Sequence, residues 1–189
     1  MRLVLATANP DKVAEIAALL TGVELAPRPP DLPEVDESGQ TLEDNARLKA
    51  TAVVAATGEA AVADDTGLEV GALGGAPGVR SSRYAGDDAS YADNVAKLIA
   101  ALEGVSDRRA RFRTVALARF PDGHEVVADG AVEGVIADEP RGVGGFGYDP
   151  VFLPEGGDGR TFAEMTSEQK NSLSHRARAF ARLAELLDG

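Results

Sequence analysis

The opening of the chain constrains its fold more than any other stretch. Residues 2–6 form a short apolar run, followed at once by Thr7-Ala8-Asn9-Pro10. The run predicts a buried strand. Asn9 predicts a helix N-cap with Pro10 at the first helical position. Val13, Ile16, Ala17 and Leu20 then recur on one helical face, and Gly22 closes the helix. A strand that passes directly into a helix is the unit of α/β proteins. The pattern continues with a strand over 23–25 and a loop over 26–40 holding four prolines. Thr41, with Asp44 as capping partner, opens a helix reaching about residue 57. A strand over 60–63 ends at Asp64-Asp65. A glycine-rich loop (71–86) precedes a helix over 90–102. Residues 109–120 read as a strand with one wet face, because Arg109, Arg111 and Arg113 alternate with Ala110 and Phe112. Pro121-Asp122-Gly123 turns the chain into strands over 124–128 and 131–136. A second glycine-rich loop (141–149) leads into a strand over 151–153. A final helix over 174–187 presents Phe180, Leu183, Leu186 and Leu187. Early alternation followed by a meander predicts α/β with a mixed sheet.

The chain has 189 residues, enough for one domain or two closely packed lobes. It carries a net charge of −12 at pH 7. That excludes broad binding to nucleic-acid polymers and docking on an anionic membrane, but not a small anionic ligand. No cysteine is present, which excludes disulfides, thiolate catalysis and cysteine-ligated metals. The N-terminal apolar run is too short for a signal peptide and nothing later spans a bilayer, so a soluble cytoplasmic protein is expected. Only four of the 19 basic side chains are lysines: Lys12, Lys49, Lys97 and Lys170. Lysine is a compact point charge suited to a phosphate oxygen.

Five stretches hold chemistry-bearing residues. Thr7, Asn9 and Lys12 stand where a strand meets a helix N-terminus, a place that attracts anions. Alone, they equally describe a capped helix with a solvated lysine. Asp64-Asp65-Thr66-Gly67 offers carboxylates for a divalent cation or for activating a water, or merely a turn. The acidic loop over 33–39, with Lys49 on the following helix, offers either a second metal carboxylate or a solvated loop. Phe146, Gly147, Tyr148 and Asp149 place two scarce aromatic rings among close glycines. That arrangement suits stacking on a base or a tight turn over a core ring. Lys170, His175 and Arg176 gather cations at the start of the last helix, where they oppose its dipole unless they face an anion or a polar ligand. His124 reads as structural or solvated, and Lys97 as lying on an ordinary helix. Together the five describe a nucleoside triphosphate site.

In sequence order the chain shows Thr-Ala-Asn-x-x-Lys, Ala-Asp-Asp-Thr-Gly-Leu-Glu-Val with Leu-Gly-Gly-Ala-Pro-Gly, Gly-Phe-Gly-Tyr-Asp-Pro-Val-Phe, and Lys-Asn-x-x-Ser-His-Arg. These motifs resemble the inosine triphosphate pyrophosphatase family from residue 3 to about residue 185. The resemblance implies an elongated, two-lobed α/β fold around a twisted mixed sheet. Residues 1–189 would form one domain with the active-site cleft between its lobes. It implies Mg²⁺-dependent hydrolysis of inosine and xanthosine triphosphates to monophosphate and pyrophosphate, by a homodimer. It places Thr7, Asn9 and Lys12 on the phosphates, Glu37 and Asp65 on the metal, and Lys49 and Thr66 on the substrate. Asp65 would be the catalytic proton acceptor. Phe146 to Asp149 would hold the base, and Lys170, His175 and Arg176 would complete the substrate contacts. Two positions depart from the family pattern: Asp44 stands where glutamate is common, and Ala177-Arg178 replaces Gly-Lys. Neither is a position carried over.

The resemblance has rivals. A Maf-type pyrophosphatase acting on pyrimidine or modified nucleotides would lack the Gly-Phe-Gly-Tyr-Asp and Ser-His-Arg elements. A non-enzymatic sensor would bind the nucleotide and release no pyrophosphate.

Overall fold

A computed structural model describes residues 1–189. The strands are β1 (Arg2–Leu5), β2 (Glu24–Ala26), β3 (Ala61–Val70), β4 (Pro77–Gly78), β5 (Arg109–Arg119), β6 (Glu125–Ile136) and β7 (Phe152–Pro154). The helices are α1 (Pro10–Leu19), α2 (Leu42–Thr57), α3 (Tyr91–Ala101), α4 (Ser167–Leu173) and α5 (His175–Asp188). The strands form one mixed sheet in the order β2-β1-β3-β5-β6-β7, with β4 on β3. No helix is long and apolar enough to cross a membrane.

The chain divides into two compact units. The first comprises residues 1–65, 114–130 and 176–189. Here β1 runs parallel to both β2 and β3, pairing Val4 with Ala26 on one side and with Ala61 on the other. The parallel pairs require crossover connections, which α1 and α2 supply. α1 begins as the sequence predicts, with the Asn9 side chain accepting from the Asp11 and Lys12 N–H groups. α2 opens with the Thr41–Asp44 capping box and ends on Gly58 in the left-handed conformation. The core joins Leu3, Leu5, Ile16 and Leu20 to Val62, Phe180 and Leu183.

The second unit comprises residues 66–113 and 131–175. β4 and β7 pair antiparallel with β3 and β6 respectively. Its core packs Leu68, Val95 and Leu98 with Phe112, Phe152 and Phe162. Arg108 acts as a staple. Its guanidinium donates to the carbonyls of Leu102, Ile136 and Ala137 at 2.8–3.0 Å, joining the end of α3 to the end of β6.

Several elements differ from the sequence expectation. β3 does not end at Asp64-Asp65 but runs on to Val70. Carboxylates are poor strand formers in isolation, but here each has a cationic partner that lets the backbone stay extended. The two strands read over 124–128 and 131–136 are one strand, β6, which runs beside β5 straight through Asp129 and Gly130. α4 lies where no helix was expected, and its signal was local: Thr166 and Gln169 form a capping box. Ala17 and Leu186 lie on the solvent side of their helices rather than in the core.

Replacing Arg108 by alanine strands three carbonyls, so the unfolding free energy from urea titration is expected to fall by about 2–4 kcal/mol. Lysine, a single point donor, is expected to recover less than half of that loss.

Candidate active site

The first unit carries two linked charge clusters. The first is built on Asp64, which is 1% exposed. Lys12 reaches its Oδ2 at 3.2 Å from the first turns of α1. Arg176, at the start of α5, donates from Nε and Nη2 to the same oxygen at 3.3 and 3.1 Å. The third guanidinium nitrogen, Nη1, bonds Glu15, one turn along α1 from Lys12. Burial opposes the Asp64 charge, but Lys12, Arg176 and Lys49 outweigh it and hold the carboxyl far below the usual range. Burial, reinforced by the neighbouring cations Lys49 and Arg176, lowers the pKa of Lys12 despite Asp64.

The second cluster is built on Asp65, the next residue of β3. Consecutive strand residues face opposite sides, so Asp65 meets different partners. Lys49 Nζ bonds Asp65 Oδ1 at 2.7 Å and Glu37 Oε1 at 3.1 Å. The Asn45 amide donates to Asp65 Oδ2 at 3.3 Å. Burial, helped by Glu37, raises the Asp65 pKa against the pull of Lys49 and Lys12. For Lys49, burial works to lower the pKa, yet Asp65, Glu37 and Asp64 together raise it.

This geometry fits a hard divalent cation. Glu37 and Asp65 already converge on one positive group, the Lys49 ammonium, and their donors are anionic oxygens. No group of three or more potential ligands stands together. A cation held here would therefore complete its shell from water and phosphate oxygens, as Mg²⁺ commonly does.

Near these clusters in sequence, Thr7 Oγ1 accepts the Asn9 N–H at 3.1 Å and fixes the entry into α1. Thr66 follows Asp65 within β3, as the first residue of the second unit.

The remaining expected site residues belong to the second unit. The loop before β7 folds around Asp149, which is buried. Its Oδ2 accepts the Phe146 N–H at 2.8 Å and Lys170 Nζ at 2.6 Å. Gly145 allows this closeness: its φ is +66°, and a Cβ there would lie 2.1 Å from Asp149 Oδ2. Lys170 Nζ also lies 4.8 Å from the centre of the Phe146 ring, a cation–π distance. Phe146 and Tyr91 line a cavity of about 650 Å³ together with Val95, Ile99 and Pro140. Gly147 takes a left-handed conformation with open space where a side chain would project. Tyr148 is a core residue: its hydroxyl donates to the Ser81 carbonyl at 2.9 Å, and burial pushes its pKa up. The His175 ring stacks on Phe112 at 4.5 Å.

The structure thus joins Lys12, Glu37, Lys49, Asp65 and Arg176 in one unit, and Phe146, Asp149 and Lys170 in the other. Sequence reading passed over Asn45 and Glu15. Both carried a helical signal, Asn45 four residues before Lys49 and Glu15 three after Lys12.

A mixed α/β sheet whose buried β3 carboxylates are met by cations from α1, α2 and α5 places the chain among α/β proteins equipped to take an anionic ligand. The chain belongs to the Ham1 family, whose model matches residues 3–186. The dITP/XTP pyrophosphatase of Bacillus licheniformis is 45% identical to it, with 98% of this chain and 97% of that protein covered. The dITP/XTP pyrophosphatase of Symbiobacterium thermophilum is 49% identical, with 98% and 94% covered. The solved structure of a HAM1 protein from Coxiella burnetii matches with a TM-score of 0.90 at 40% identity, over 100% of this chain and 98% of that one.

The Asp64 cluster is expected to dominate acid sensitivity. Asp64→Asn leaves Lys12 and Arg176 without their shared carboxylate, so urea unfolding at neutral pH should show a loss of about 3–5 kcal/mol. The folded-state pKa of Asp64 is depressed. Its contribution is therefore fully present above the ordinary value of 3.8 and is withdrawn as pH falls through the folded-state value. The variant's stability should accordingly fall less steeply on acidification than that of the wild type.

Proposed function

We propose that this protein hydrolyses deaminated purine nucleoside triphosphates, those of hypoxanthine and xanthine, to the monophosphate and pyrophosphate. The observation that carries this reading is the convergence of Asp65 and Glu37 on one buried cation, beside Lys12 at a helix N-terminus. Membership of a family whose relatives bear the name dITP/XTP pyrophosphatase supports the substrate class.

In this reading the first unit does the phosphate chemistry. A water oxygen bonds to the α-phosphorus, the bond to the bridging oxygen breaks, and pyrophosphate leaves with the electron pair. Asp65 takes the water's proton. Its raised pKa suits that role better than the depressed pKa of Asp64, whose charge is locked by Lys12 and Arg176. Glu37 and Asp65 would hold Mg²⁺, which when bound supplies positive charge against the phosphate oxygens. Lys12, destabilised as a cation by burial and by its cationic neighbours, gains from an arriving polyanion. Thr7 and Asn9 set the helix start that presents it. Lys49, bonded to Glu37 and Asp65, would add positive charge for the phosphates; Thr66, next to Asp65 in β3, is read as a further substrate contact.

The second unit reads the base. Phe146 would stack on the purine, and Gly147 leaves room beside the ring. Asp149 suits the ring N1–H of a 6-oxo purine, while Lys170 and His175 suit its carbonyl. Adenine reverses both partners and leaves buried groups unpaired, a mismatch that discriminates strongly. Tyr148 supports this loop through its bond to Ser81. Arg176, engaged by Asp64 and Glu15, contributes by fixing Asp64. The same reading makes the protein a cytoplasmic homodimer, to be checked as a solution mass twice 19.6 kDa.

The test offers purified protein and Mg²⁺ the triphosphates of inosine, xanthosine, adenosine, guanosine and the pyrimidines, and measures pyrophosphate. Release from the first two is expected to exceed that from adenosine triphosphate by about 100-fold or more, because adenine leaves both edge partners unpaired. Equal rates on all, or none on any, overturn the proposal. Asp65→Asn is expected to lose more than about 10-fold in turnover, since a general base contributes at least that much.

A further inference from the structure

Asn45 belongs to none of the motifs weighed in the sequence, yet it is 0% exposed. Its Oδ1 accepts the Gly39 N–H at 2.9 Å, and its Nδ2 donates to Asp65 Oδ2 at 3.3 Å. The two partners fix the amide orientation, because a backbone N–H only donates and an ionised carboxylate only accepts. One turn along α2, Lys49 reaches Glu37 and Asp65 Oδ1. Two residues on one face of α2 therefore make parallel bridges between the same two parts, the 37–39 loop and Asp65. One bridge is charged and the other neutral.

Gly39 supplies the fit on the loop side. A Cβ there would lie 2.5 Å from Asn45 Oδ1 and 2.6 Å from Asp44 Cβ. Real Cβ atoms essentially never come closer than 3.0 Å, and two of the obstructing atoms, Asp44 Cβ and the Asn45 backbone nitrogen at 2.9 Å, cannot swing aside as the end of a side chain can. The loop can sit on Asn45 only because residue 39 has no side chain.

The two bridges respond differently to a cation. A positive ion between Glu37 and Asp65 repels the Lys49 ammonium and competes for both of its oxygens. The Asn45 amide carries no charge, so a cation held there would not repel it as it would the ammonium. Aspartate in its place could not donate to Asp65, and alanine could not reach either partner.

We propose that Asn45 is a positioning residue that sets the placement of Glu37 relative to Asp65 as ligands of a divalent cation, with Gly39 as its fitted counterpart. The inference rests on the reading of Glu37 and Asp65 as the cation-holding pair. Neither Asn45 nor Gly39 need touch substrate.

The experiment uses two variants of the full chain, Asn45→Ala and Gly39→Ala, with two readouts. Mn²⁺ alone is titrated into nucleotide-free protein and followed by electron spin resonance. Pyrophosphate release from inosine triphosphate is then followed against Mg²⁺ concentration. Each variant is expected to weaken Mn²⁺ binding about 10-fold or more and to raise the half-saturating Mg²⁺ by a similar factor, the usual cost of removing a residue that orients a metal ligand. The nucleotide KM at saturating Mg²⁺ should change less than about 3-fold, since neither residue binds the nucleotide. A purely structural role would lower the melting temperature and leave the metal affinity of the folded protein unchanged. That outcome, or no Mn²⁺ binding by the wild type, overturns the inference. If Asn45→Ala does not fold, Gly39→Ala carries the test, because it displaces the loop without deleting any polar group of the site. Mn²⁺ binding that weakens in both variants of a protein releasing no pyrophosphate would sink the proposed function and sustain this one.

Discussion

The buried carboxylate of Asp64, held between Lys12 and Arg176, is the constraint around which the first unit is organised. It ties α1, the middle of β3 and the start of α5, and its arginine partner lies 112 residues further along the chain. Local sequence cannot satisfy such a charge. Until all three segments are in place, at least one of these groups would be buried without its counter-ion, at a cost of several kcal/mol. The pairing therefore links formation of the N-terminal crossover to docking of the C-terminal helix. A well-packed apolar trio could fill the same space with comparable or greater stability. Charges retained at that cost are better understood as positioning Lys12 than as strengthening the fold.

Asp64 and Asp65 show how one strand assigns different chemistry to adjacent, identical side chains. The alternation of the strand turns them toward different partners. Asp64 receives two cations on a single oxygen and stays ionised. Asp65 shares one lysine with Glu37, a like charge whose repulsion adds to the effect of burial. The outcome is a depressed pKa beside a raised one, and a pair of carboxylates driven apart in this way is a recurrent sign of divided labour in catalysis. The identities of the residues do not decide which is which. Their neighbours do, and those neighbours come from α1, α2 and α5.

Legibility in the sequence followed the range of the interactions. The caps at Asn9 and Thr41, the helix over 91–101 and the wet face of β5 were readable because each signal is contained within a few residues. The Thr166–Gln169 box is just as local, a helix start contained within four residues. The continuation of β3 through two aspartates was not readable, since the reason for it lies in Lys12, Lys49 and Arg176. The unbroken course of β6 was hidden for the same reason: the strand beside it, β5, comes from elsewhere in the chain. Besides Asp65, the ordered motifs contain Lys12, Asp64, Asp149, Lys170 and Arg176, charged groups that pair with one another in the fold. Asn45 escaped because a neutral amide gains meaning only when its two partners are brought to it from elsewhere.

The lysines show what such long-range context adds. In a chain whose usual cation is arginine, each of the four lysines makes a specific short contact. Lys12 meets Asp64, Lys49 meets Glu37 and Asp65, and Lys170 meets Asp149. Lys97, expected on an ordinary helix, donates to the Tyr84 carbonyl at 2.6 Å and lies over the Tyr84 ring. It helps Asn94, which bonds Ser82 and Ala85, to fasten the loop before α3. An ammonium can approach one oxygen closely from many directions, whereas a guanidinium imposes a planar fork. Where the fork is wanted, arginine is present: Arg176 spans Asp64 and Glu15, and Arg108 spans three carbonyls. The two cations thus differ in geometry here: Lys12 and Lys170 each meet one carboxylate oxygen, Lys49 bridges two carboxylates through one nitrogen, and Arg176 and Arg108 use separate nitrogens of one fork. The net negative charge of the chain sits around these contacts without governing them, because each is settled at distances far shorter than those over which solvent screens.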